Sequence, residues 1–161
     1  MISLVQSQKD IENSAAVLRR AFGTVALDFN LTPENCPTNP AFCTSEHLVK
    51  MQKRGIVLYK LTEGGKQIGF IAIEKSQKES GTFYIERVAV LPENRHGGYG
   101  RQLMDFAMEQ IRDQGGERIS IALIDGHTVL KKWYKDQGFR ETGTKDFVHL
   151  PFRVCFMEFK F

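Results

Sequence analysis

The stretch Val88-Ala89-Val90-Leu91-Pro92-Glu93-Asn94-Arg95-His96-Gly97-Gly98-Tyr99-Gly100-Arg101-Gln102-Leu103 constrains this chain more than any other. A strand stops at a proline, a short loop turns, and glycines open an amphipathic helix. The junction leaves backbone N–H groups free at a helix start, where the helix dipole adds positive potential. Glycines let a ligand approach the backbone closely, and Arg95 and Arg101 supply charge-assisted donors. The expected ligand is a pyrophosphate or similar dianion. A glycine-rich helix entry with no ligand would show the same residues. Two known phosphate motifs do not fit. A dinucleotide fingerprint needs a glycine where Leu103 stands, and a P-loop needs Lys-Ser or Lys-Thr where the chain has Arg101-Gln102.

Periodicity supplies the rest of the frame. A short strand opens the chain, and Ser7 to Asp10 reads as a capping box. Ile11, Ala15, Leu18 and Phe22 then recur at helical spacing, with an end expected at Gly23. Pro33, Pro37 and Pro40 mark a loop, and a second helix is expected over Ser45 to Lys53. Ile56–Leu61 and Gln67–Ile73 form a hairpin around Glu63–Lys66, and Thr82–Leu91 is the next strand. A helix from Gly98 to Asp113, a strand from Arg118 to Ile124 and a helix from Thr128 to Gln137 follow. Two closing strands are read over Phe139–Leu150 and Phe152–Phe161, with Phe83, Phe152, Phe156 and Phe159 assigned to the core. The order β-α-α-β-β-β-α-β-α-β-β is neither strict alternation nor all-β. It predicts an α/β fold with a mixed, mostly antiparallel central sheet and helices on both faces.

Composition narrows the function classes. With 161 residues, 42% hydrophobic and 25% charged, the chain suits one globular domain over residues 1–161. A net charge of +3 is too mild for a nucleic-acid binder but suits one local anion site. No apolar run approaches a membrane span and no basic-apolar leader opens the chain, so the expected compartment is the cytoplasm. Three cysteines are expected to be free thiols. Cys36, Cys43 and His47 match no standard zinc spacing, with Cys155 far along the chain, so no metal is assigned.

The pattern Arg95-x-x-Gly98-x-Gly100 resembles the coenzyme-binding motif of the GNAT superfamily of acyl-CoA-dependent N-acyltransferases. Leu130-Lys131-Lys132-Trp133-Tyr134-Lys135-Asp136-Gln137-Gly138-Phe139 resembles that family's Phe-Tyr-x-x-x-Gly-Phe segment, with Trp133 in place of the Phe. The resemblance implies N-acetyl transfer from acetyl-CoA to a primary amine of a small molecule or peptide by direct attack. It implies that Arg95, His96, Gly97, Gly98, Tyr99, Gly100 and Arg101 hold the pyrophosphate. It also implies that Val88, Ala89 and Val90 pair with the pantetheine arm, and that an N–H near Val88 polarises the thioester carbonyl. A homodimer is an expectation of the resemblance only.

Within that frame Tyr134 is the expected proton donor to the leaving thiolate, set against a plain core tyrosine. Glu86 is the expected base for the amine, set against a carboxylate paired with Arg87. Strand alternation would put Glu86 on the face of Tyr84, Val88 and Val90. His127 stands where the family often has Asn. It is read as a pantetheine contact, a competing base, or a surface residue at a helix start. Asn35-Cys36-Pro37-Thr38 is read as loop lining the acceptor site. The rival function is a non-catalytic acyl-CoA-binding sensor, which would lack Tyr134; a weaker one is a phosphate site for another nucleotide.

Overall fold

The computed structural model describes all 161 residues. A strand β1 (Ile2–Leu4) precedes the first helix, α1 (Gln8–Asp28). As the sequence predicts, Ser7 Oγ accepts from the Asp10 N–H at 3.1 Å while the Asp10 carboxylate accepts from the Ser7 N–H at 3.2 Å. The helix runs past Gly23, where the pattern predicts its end. Gly23 has no positive φ, and apolar residues continue through Val25 and Ala26 into a small cluster with Leu31, Cys36, Ala41 and Ile124. The chain reverses only at Asn30, at φ 54°. A second helix, α2 (Ser45–Lys53), is capped by Thr44 and His47.

The remaining elements follow the predicted order: β2 (Val57–Glu63), β3 (Lys66–Lys75), β4 (Thr82–Val90), α3 (Tyr99–Asp113), β5 (Arg118–Ile124), α4 (Thr128–Lys135), β6 (Arg140–Asp146) and β7 (Arg153–Lys160). They form one seven-stranded sheet in the order β1-β2-β3-β4-β5-β7-β6. Only β4 and β5 run parallel. β6 ends at Asp146, short of the predicted Leu150, and all seven of its residues are exposed. Its charged sequence suits an uncovered edge strand.

Helices cover both faces. Lys60 of β2 pairs with Asp10 of α1, so Lys60, its partner Phe70 and the same-face residues Ala72 and Glu74 look toward α1 and α2. Tyr59 packs edge-on against Phe106 of α3 at 4.9 Å, so Tyr59, Ile71 and Ile73 look the other way. The core follows the sheet on both faces, with Phe70, Phe83, Phe139 and Leu103 fully enclosed. Phe83 is core as predicted, while Phe152, Phe156 and Phe159 are half-buried.

Candidate active site

β4 and β5 pair only over Thr82–Tyr84 with Arg118–Ser120 and then part. Beyond that point β4 is hydrogen-bonded on its β3 side alone, and a gap opens in the middle of the sheet. The Leu91 N–H donates to Ile68 of β3 at 2.8 Å. Alternation therefore turns Ala89 toward β3 and the backbone groups of Val88 and Val90 toward the gap. Of the three residues expected to pair with a ligand arm, these two face the gap, where the Val90 carbonyl also accepts from Arg95 Nε at 3.4 Å.

At the top of β4 lies the glycine loop. The N–H groups of residues 96–101 donate to no protein acceptor. Two positive-φ residues, His96 at 64° and Gly98 at 82°, curl them around one point. Gly98 is the N-cap of α3 and offers no side-chain cap. A Cβ on Gly100 would sit 3.2 Å from Trp133 Cζ2, so Gly100 lets α4 close against the start of α3. Orphaned donors at a helix start need an acceptor with several oxygens, so the residues present fit a pyrophosphate.

The two arginines behave differently. Arg101 is exposed and pairs with Asp105 along the helix at 2.8 Å. Arg95 is tied to the back of α1: it donates to Ala21 O at 2.8 Å, Thr24 Oγ1 at 3.1 Å and Val90 O at 3.4 Å. With Glu93 bound to Arg20 at 2.9 Å, the loop is latched to α1. The sequence motif does not reveal this use of Arg95, because the partners lie some seventy residues upstream.

Glu86 sits on the α1/α2 face, opposite Ala72. The register then slips: Phe70 opposes Ala89, leaving one residue of β3 against Arg87 and Val88 of β4. Arg87 takes φ 57°, and this bulge breaks the alternation on which the sequence reading relied. Tyr84 and Glu86 share a face as expected. Val90 does not, since it lies opposite Gly69, which abuts Leu103 of α3. The Arg87 guanidinium reaches Cys43 Sγ at 3.3 Å rather than closing on Glu86. Burial, and after it the neighbouring Glu74 carboxylate, push Glu86 up to about 7. Arg87 and Arg54 only partly offset this.

Tyr134 lies on the other face. Its ring meets Phe139 at 5.5 Å and Trp133 at 5.0 Å, and Phe139 leads on to Phe159. Tyr134 is 7% exposed, and its hydroxyl oxygen is not one of the two fully buried side-chain polar atoms left without a partner, Gln67 Oε1 and Gln137 Oε1. Burial pushes the phenol further above its ordinary value. Glu86 and Tyr134 thus belong to opposite faces of the sheet.

His127 is the N-cap of α4. Its Nδ1 accepts from the Leu130 N–H at 3.3 Å, which leaves the proton of the neutral ring on Nε2. Burial holds it below the ordinary histidine value against the pull of Asp28. A ring in this tautomer donates from Nε2 and has no lone pair there to take a proton.

The three cysteines are free and buried. His47 Nδ1 accepts from the Thr44 N–H at 3.1 Å as part of a cap. One metal-compatible group exists, Asp125, Glu141 and Cys155, but the Lys131 ammonium fills it at 2.6 Å from Asp125 and 3.0 Å from Glu141. Elemental analysis of protein purified without chelators is expected to find no stoichiometric metal, and one zinc per chain would contradict this. No helix is long and apolar enough to cross a membrane.

No curated protein sequence matches the chain. The ribosomal-protein-S18-alanine N-acetyltransferase of Escherichia coli superposes with a TM-score of 0.76 at 15% identity, over 99% of this chain and 92% of that one. The ribosomal-protein-alanine N-acetyltransferase of Brucella melitensis gives 0.73 at 17% identity, over 100% and 99%. The PaiA N-acetyltransferase of Thermoplasma acidophilum, solved with coenzyme A, gives 0.79 at 18%, over 100% and 99%. At these identities the likeness is one of fold. A profile of the acetyltransferase (GNAT) family matches residues 25–139, the span that carries the glycine loop, Glu86, His127 and Tyr134. The chain belongs to the acetyltransferase (GNAT) family and is an acyltransferase enzyme.

Proposed function

We propose that this protein, as a single domain over residues 1–161, transfers an acetyl group from acetyl-CoA to a primary amine of a small molecule or peptide. The observation that carries the reading is the row of unpaired N–H groups at 96–101 beside the open edge of β4. In this reading the loop and α3 start hold the pyrophosphate through backbone donors, with Arg101 adding charge and Arg95 keeping the loop against α1. Val88 and Val90 pair with the pantetheine arm, the Val88 N–H donates to the thioester carbonyl, and His127 Nε2–H donates to the arm. The amine approaches from the α1/α2 face, where the loop before α2 lines its path. Its nitrogen attacks the thioester carbon, the C–S bond breaks, and the amine proton passes to Glu86, directly or through one water. Tyr134 donates its hydroxyl proton to the departing sulfur. Holding both reactants makes the attack effectively intramolecular, and no covalent acyl-enzyme is needed. Three buried free thiols suit the cytoplasm.

Two tests follow. Acetyl-CoA at a hundredfold excess over its Kd is expected to stabilise the protein by about 3 kcal/mol in a thermal-shift measurement. Gly98→Asp should remove that effect by placing a negative charge among the N–H groups. Gly98→Asn, which tolerates the same positive φ without the charge, should keep part of it. No shift with the unaltered protein would sink the reading. For the acceptor, a panel read by thiol release should include peptides with free N-terminal alanine, given the names of two structural neighbours.

His127→Ala is expected to cost about 1 kcal/mol of stability through the lost cap, with no movement of the pH–rate profile. A moved profile would return His127 to the role of base.

A further inference from the structure

The acid on β3 was not singled out by the sequence, yet it stands next to the proposed base. β3 and β4 are in antiparallel register, with Glu74 opposite Tyr84 and Ala72 opposite Glu86. Glu74 and Glu86 are therefore diagonal neighbours on the α1/α2 face, a separation long side chains span. Glu74 is anchored by Arg54, the C-cap of α2, at 3.6 Å, and its side chain is only 22% exposed. Its preceding strand neighbours from Ile68 to Ile73 are all buried, so the residue breaks an otherwise apolar strand.

We propose that Glu74 is a positioning residue for proton transfer: fixed by Arg54 and diagonal to Glu86 on the same face, its carboxylate lies against Glu86 and opposes that group's charged form. This rests on Glu86 being the base. Burial raises Glu86 first, and Glu74 adds to it; the other charged or titratable groups around Glu86 do not. Arg87, beside it on β4, is cationic and turned to Cys43. Arg19 of α1 donates to the Cys43 carbonyl at 2.9 Å, and the Cys43 thiol is held neutral by burial. β5 presents the uncharged Ser120 next to Tyr84. Glu74 is thus the one anion in contact, and Arg54 limits its influence. A second carboxylate this close opposes the ionised form of Glu86.

The consequence is a base matched to its task. A carboxylate of ordinary strength would be ionised near neutrality but would hold an amine proton weakly. One shifted toward neutral takes it more readily in the transition state.

The test follows the carboxyl carbon of Glu86 by ¹³C NMR titration, assigned by its disappearance in Glu86→Gln, alongside kcat/KM against pH. Glu74→Gln keeps the volume and removes the charge. It is expected to lower the Glu86 midpoint by about one pH unit, and the rising limb of the rate should follow. Arg54→Gln should move both upward. Glu74→Asp should hold them near the unaltered values. A role confined to packing would lower the melting temperature without moving either midpoint in opposite directions. If Glu74→Gln leaves the Glu86 carboxyl midpoint unmoved, the proposal is overturned. If the carboxyl midpoint moves and the rate limb does not, Glu74 still governs Glu86, and it is the assignment of Glu86 as base that fails.

Discussion

Tyr134→Phe is expected to slow the chemical step by about 10²- to 10⁴-fold, the range of a positioned proton donor, while leaving acetyl-CoA binding intact. The ring contacts with Trp133 and Phe139 survive in phenylalanine. The melting temperature should accordingly stay within a few degrees of the original, which separates a catalytic from a packing role. Burial holds the phenol protonated across the working range. Tyr134 can thus donate at any working pH and adds no limb of its own to the profile. The measurement is pre-steady-state thiol release with an acceptor from the panel. A variant that turns over at the unaltered rate while chemistry is limiting would make Tyr134 a core residue, with water as the acid.

The glycine loop was legible in the sequence because every part of it is local. The strand end, Pro92, the glycines and the helix that follows sit within sixteen residues, and their geometry depends on one another. The same holds for the Ser7 cap, which closes within four residues. What failed to show were features made across strands. The bulge at Arg87 is a mismatch between β4 and β3, and no pattern within β4 announces it. It reversed the face of Val90 relative to Glu86. Glu74 reads along its own strand as a solvent-facing acid near a strand end, and only the register places it beside Glu86. The motif arginine Arg95 was legible as a cation but not as a latch, since its acceptors are a carbonyl and a hydroxyl of α1. The helix end at Gly23 was misplaced for a related reason. A glycine stops a helix only when the chain uses its positive φ, and here apolar packing of Ala26 carries the helix on.

Glu86→Gln is expected to act in opposite directions on activity and on stability. At neutral pH the turnover should fall on the order of 10²-fold or more, because the amine must shed its proton without help. The residual rate should then climb with pH as free amine accumulates, toward the alkylamine pKa of about 10. Stability follows the carboxyl group. Glu86 is raised from 4.5 to about 7 in the fold. Below pH 4.5 it is protonated in both folded and unfolded chains and contributes no pH dependence. Between there and 7 the unfolded chain has lost the proton while the fold retains it, so stability declines as pH rises. Above 7 the fold carries a partly buried anion beside Glu74, at a cost of up to about 3 kcal/mol by the shift alone. Glutamine has the same shape and no charge, and it can donate an N–H to Glu74. The variant should therefore melt several degrees higher than the unaltered protein at pH 8 and near the same temperature at pH 4. Melting curves at the two pH values, set beside thiol-release rates, check both halves. A variant destabilised at pH 8 would mean that Glu86 is held ionised by Arg87 or Arg54, and the carboxylate would then be a structural ion-pair partner. A gain in stability with a loss of rate is the pattern of a group kept under strain for its chemistry.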